Sequence, residues 1–208
     1  MKAAGLGLGL LCAVMMGVAG PADAQIAAGA PALAGSWKTA CLPIGKNGRH
    51  GMTVALNIPQ ETGQTGEGPI EAVAQLFAKA DCAVPTVHVV YEGKVALTQE
   101  AIGQFLVDQD TGSVTMTPQA EDVVGFYNAK PEEMGCGLSG WQLNQPRDVS
   151  GKTCSQTRFP ETGSRVYDRA WLESGTLRFG VFPLKWDLTD PTQRAGERGP
   201  VVFERVGG

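Results

Sequence analysis

No stretch of about twelve or more residues in this chain keeps its apolar residues at the helical period. Short β-branched and aromatic runs alternate instead with turn signals, supplied by 28 Gly and 13 Pro among 208 residues. A chain punctuated this often must bury its apolar side chains with strands, so an all-β fold is expected. With roughly ten short strands, one antiparallel sheet curled into a barrel, or a sandwich, is the natural solution.

The strand runs can be placed along the chain. Residues 33–42 put Trp37, Thr39 and Cys41 on one face, and residues 52–58 alternate with Val54 and Leu56 facing inward. Residues 59–69, with three Gly and two Pro, read as an exposed loop, and residues 70–80 suit either a helix or a strand. Residues 86–91, carrying Val89 and Tyr91 on one face, turn at Glu92-Gly93 into a mate at 94–98. Residues 105–108 and 114–117 read as a second hairpin, and residues 123–127 as a short strand. Residues 165–172 and 176–182 form a third hairpin, with Leu177 and Phe179 on its inner face, and residues 185–199 a polar exposed connection. A last strand covers residues 200–206.

The chain opens with Met1-Lys2, an apolar run from Leu6 to Val18 and Ala22-Asp23-Ala24. These are the parts of a secretory signal peptide, so residues 1–24 are expected to be removed after Ala24. Residues 25–32 then make an Ala-rich mobile lead-in, and residues 33–208 one barrel domain. The product would be periplasmic or secreted. No later run is long enough to span a membrane.

The net charge is −4, with no Lys/Arg cluster, which excludes nucleic acid as the expected partner. Beyond the signal stand Cys41, Cys82, Cys136 and Cys154. An even set in an exported chain implies disulfides, and of the three possible pairings we favour Cys41 with Cys82 and Cys136 with Cys154, one per half. Zinc ranks below this, because there is no C-x-x-C and the histidines are only His50 and His88. Asp108, Asp110 and Gly112 do not fit a calcium loop. Ser139 is not in a nucleophile elbow, and Asp187 and Asp190 fall in a polar connection, so no residue is assigned a catalytic role. No cofactor or metal is expected.

Gly35-Ser36-Trp37 resembles the Gly-x-Trp that opens the first strand of lipocalins and related calycin barrels. In that family the Trp plugs one end of the barrel and an Arg near the last strand lies across it, a place Arg205 can fill. The middle Thr-Asp-Tyr motif has no counterpart. Gly35-x-Trp37 with Cys41, Cys82 after an apolar segment, Leu177-Arg178-Phe179-Gly180 and the last strand are similar to the extracellular barrel domain of APC down-regulated 1 proteins and small exported bacterial relatives. The resemblance implies an apolar-lined cavity for a lipid or acyl chain. Val54, Leu56, Val89, Tyr91, Leu177 and Phe179 are the residues expected to line it. The alternative is a filled barrel acting as an envelope protein-interaction module or inhibitor through residues 134–154, including Trp141, and 187–198.

Overall fold

A computed structural model describes residues 33–207, except for the side chains of 63–65. The signal segment and the lead-in lie outside the described residues. The strands are β1 (Gly35–Thr39), β2 (Leu42–Ile44), β3 (His50–Ile58), β4 (Glu67–Phe77), β5 (Pro85–Ala101), β6 (Gln104–Pro118), β7 (Arg147–Asp148), β8 (Thr153–Cys154), β9 (Thr157–Arg158), β10 (Arg165–Glu173), β11 (Thr176–Phe179) and β12 (Phe203–Arg205). Two helices, α1 (Gln60–Thr65) and α2 (Glu121–Ala129), join them.

Eight strands form a closed antiparallel barrel in the order β1-β12-β11-β10-β6-β5-β4-β3, because β1 pairs back onto β3 with Trp37 opposite Leu56. Strand β2 covers the other half of β3, and β7 pairs with β6. Closure leaves the barrel wall without an exposed edge. Period-two alternation sends Val54, Leu56 and Ile58 of β3 and Phe105, Val107 and Val114 of β6 inward, each almost fully buried. The expected all-β, lipocalin-like antiparallel barrel is therefore present.

Four local expectations are corrected. Residues 86–98 and 105–117 are not two hairpins but the long strands of one, β5 and β6, turning at residues 102–103. Glu92-Gly93 looks like a turn because it is a register shift in β5. A Cβ on Gly93 would stand 2.5 Å from the Asp110 carbonyl oxygen and 2.9 Å from the Tyr91 hydroxyl, so only glycine fits. Residues 59–69 are not an exposed loop: α1 buries Thr62, whose hydroxyl donates to the Pro69 carbonyl, and β4 begins at Glu67. Residues 123–127 lie in α2 rather than in a strand, since the barrel closes without them. The segment 70–77, open between helix and strand, is strand.

Antiparallel alternation sorts the connections by end. Three short ones, at residues 59–66, 102–103 and 174–175, lie at one end, with the start of β1 and the end of β12. The long ones, at residues 78–84, 119–164 and 180–202, lie at the other, with the turn from β1 through β2 into β3. We call these ends the base and the mouth. Both disulfides serve the mouth: Cys41–Cys82 ties the β1–β3 turn to the β4–β5 connection, and Cys136–Cys154 clips the excursion 119–164. Both favoured pairings are thus formed. They suit an oxidising, non-cytoplasmic compartment. No helix among the described residues is long and apolar enough to cross a membrane.

Candidate functional site

The base is plugged. Trp37 is fully buried and its indole N–H donates to the Leu33 carbonyl at 2.9 Å. Arg205, opposite Trp37 in the β1–β12 ladder, lays its guanidinium 4.2 Å from the indole centroid and donates to the Ala34 carbonyl at 2.5 Å. Gly35 makes this possible, because its φ is +126° and a Cβ there would meet Arg205 Nη1 at 2.4 Å. Above the plug, Leu177 and Phe179 pack with Leu33, Ile58 and Val107, leaving no room for a water-sized sphere. Val54, Leu56 and Val89 are buried in the same core. The sequence-selected lining residues therefore all face the interior and belong to one core cluster, in which Tyr91 alone also borders the mouth cavity.

The mouth differs. A small cavity of about 20 Å³ lies here, bounded by Tyr91, Gln109, Asp168, Phe182 and Trp186. Its mostly apolar wall carries the polar side chains of Gln109 and Asp168. Among the described residues five polar or charged ones are buried: Thr39, Thr62, Gln109, Thr111 and Asp168. Thr39 accepts from the Val54 N–H and Thr62 serves Pro69, so both are occupied by the main chain. The other three gather on β6 and β10 near Tyr91, where Gln109 pairs with Val166 and Thr111 lies across from Gly93.

Two groups in this sector have no closed hydrogen bond: the Tyr91 phenol, on a residue 1 % exposed, and the Thr111 hydroxyl. The two are neighbours at the β5 irregularity and interact with each other, but neither makes a well-formed hydrogen bond to any other group. Burial raises the Tyr91 pKa, Thr111 partly offsets this and the Asp110 carboxylate adds to it, so the phenol stays neutral.

Asp168 holds the cover in place. Its carboxylate, 4 % exposed, accepts from the main-chain N–H groups of Arg169 (2.8 Å), Val181 (3.1 Å) and Phe182 (2.9 Å). The segment 180–188 is thereby folded over the mouth. It is tied to β10 at its ends, by Gly180 N–H to the Arg169 carbonyl and Tyr167 N–H to the Leu188 carbonyl. Between those points Leu184 and Lys185 donate to Val181, within the segment, and Trp186 Nε1 donates to Pro183 at 2.7 Å. Aromatic rings seat the segment on the barrel: Trp186 lies 4.9 Å from Phe182, 5.8 Å from Tyr91 and 6.1 Å from Phe159, and Phe182 stacks on Phe203. Trp186 itself is only half-buried.

In the segments expected to offer an interaction surface, several side chains are engaged within the fold while much of the chain is exposed. Trp141 is buried; its indole donates to the carbonyls of Gly135 (3.0 Å) and Leu138 (3.1 Å), and Asn128 brackets its backbone. It shields the excursion beside Cys136 and is not free for recognition. Burial pushes the adjacent Tyr127 phenol up to about 12. In 187–198, Arg194 is pinned to Asp108 and to the carbonyls of Val107 and Asp168, with its guanidinium over Tyr167. Arg198 pairs with Glu173, and Asp190 caps the 3-10 turn Pro191–Gln193. His50 is bonded at both ring nitrogens, Nδ1 to the Ala78 carbonyl and Nε2 to the Arg49 guanidinium, which donates to it.

Sequence reasoning did not single out Phe159, Phe182, Trp186, Asp168 or Arg194. The available signals were an Asp between Val166 and Ala170 on an inward strand face, and two aromatics, Phe182 and Trp186, at the edge of a supposedly solvated connection. No protein-family model matches this chain, and no curated protein matches it.

Proposed function

We propose that this chain is an exported barrel that binds a small hydrophobic ligand at its mouth, the ligand's apolar body taking the place of the Trp186 indole. The polar sector of Tyr91, Gln109, Thr111 and Asp168 carries the reading. A barrel that only had to be filled would gain from apolar residues there, since each unpartnered buried hydroxyl costs about 1–3 kcal/mol. Tyr91 carries one such hydroxyl on a residue that lines the cavity, and the neighbouring Thr111 carries a second. A ligand head group accounts for both. The 20 Å³ cavity holds about one water, so entry requires segment 180–188 to swing aside about its tied ends. Val54, Leu56, Val89, Leu177 and Phe179 then act as the packed floor rather than as contacts.

On this reading the protein works in the periplasm or outside the cell, after cleavage at Ala24, as a barrel of the lipocalin-like type that APC down-regulated 1 domains resemble. A test is fluorescence titration with the neutral two-ring probe 6-propionyl-2-dimethylaminonaphthalene. Saturable binding is expected, at least about tenfold tighter in Trp186→Ala, where no indole competes. Absence of saturable binding to either protein would refute it. The small cavity favours a second reading, a filled scaffold that recognises an envelope protein through residues 134–154 and 187–198. That reading requires capture of a defined partner and no probe binding.

A further inference from the structure

We propose that the mouth site selects neutral, hydrogen-bonding ligands and rejects anionic ones, so that an alcohol, ester or amide of indole size binds and the matching carboxylate does not. The inference rests on the mouth reading above and follows from where the charges lie.

Within the barrel wall the cavity meets one formal charge, the Asp168 carboxylate. Its main-chain donors converge on it from segment 180–188 and from its own strand, and these hydrogen bonds favour the ionised carboxylate against the burial that opposes it. The cations nearby are engaged elsewhere. Arg165 makes a two-pronged pair with Asp110 at 2.6 Å, and Arg194 is tied to Asp108; both acids alternate outward on β6. Lys185 reaches the rim, but its side chain is 55 % exposed and lies 3.8 Å from Asp187, so solvent and a partner screen it. An anionic head group entering here would lose its water beside a buried negative charge, with only the solvent-screened Lys185 among the lining residues to meet it. A neutral head needs only a hydroxyl partner such as the Tyr91 phenol, which lines the cavity with Thr111 beside it.

The experiment is calorimetric titration of the full mature protein at neutral pH with 2-naphthylmethanol and 2-naphthoate, which share a ring system and differ in charge. The alcohol is expected to bind at least tenfold more tightly. In Tyr91→Phe/Thr111→Val the alcohol should weaken several-fold while unsubstituted naphthalene binds as before. In Asp168→Asn, provided its near-ultraviolet circular dichroism is native, the gap between alcohol and carboxylate should narrow; Tyr91→Phe/Thr111→Val keeps the test decisive if that variant does not fold. Equal or tighter binding of the carboxylate by the native protein overturns the selectivity and leaves the mouth site standing. Failure of both ligands to bind native protein and Trp186→Ala overturns the mouth site, and the selectivity with it.

Discussion

Arg205 and Asp168 show how single side chains hold the two ends of the barrel. Arg205 is exposed, so its stacking on Trp37 and its bond to Ala34 are together worth about 1–2 kcal/mol. Arg205→Ala should lower unfolding stability by that amount in urea, and Arg205→Lys should recover only part, because an ammonium lacks the flat face. Asp168 carries a pH signature. Burial raises its pKa, against the main-chain N–H groups of Phe182, Arg169, Val181 and Gly180. A raised carboxyl pKa means that the folded chain takes up the proton more readily, so this group favours folding increasingly as pH falls. Asp110 and Glu100 act oppositely. Their bonds to Arg165 and Arg169 lower their pKa values, and the stability they supply above the ordinary carboxylate range is lost as pH falls through the lowered values. Asp168→Asn should therefore lose more stability on acidification than the native protein, as measured by urea midpoints from pH 7 to 3. A smaller loss would contradict the assignment.

At the level of elements, the connection 180–202 is held by arginines rather than by a strand ladder. Arg169 bonds Glu100 and the Ala195 carbonyl, Arg178 reaches Gly199, and Arg194 is nearly buried against Asp108. Arg194→Ala leaves Asp108 and two carbonyls without their donor, and should cost about 2–3 kcal/mol. Amide exchange should speed up first in residues 188–198. Removing the Cys136–Cys154 bond should loosen the excursion and cost about 3 kcal/mol, since it closes a loop with a sequence separation of 18. Legibility followed the range of the forces involved. Trp37, Val54, Leu56, Leu177 and both cysteine pairings could be read because strand alternation and export chemistry act locally. Gly93 misled because a glycine that admits the Tyr91 hydroxyl looks in sequence like one that makes a turn. Val123 to Tyr127 misled because β propensity reflects packing, and the closed barrel has no place for another strand. The mouth cover could not be read, since what brings Trp186 over Tyr91 is a carboxylate 18 residues earlier on another strand.

Across the whole molecule the two ends have different tasks. Short turns, the Trp37–Arg205 plug and tight apolar packing make the base a rigid floor. The mouth gathers the long connections, both disulfides, the inward polar groups and a cover tied at two points. Ligand entry requires the cover to move. The direct test is hydrogen exchange with and without saturating 6-propionyl-2-dimethylaminonaphthalene. We predict altered exchange confined to residues 180–188 and the facing parts of β5, β6 and β10, with the strands around Trp37 unchanged. Saturable binding that leaves residues 180–188 unaltered, or that changes exchange at the base instead, would contradict it.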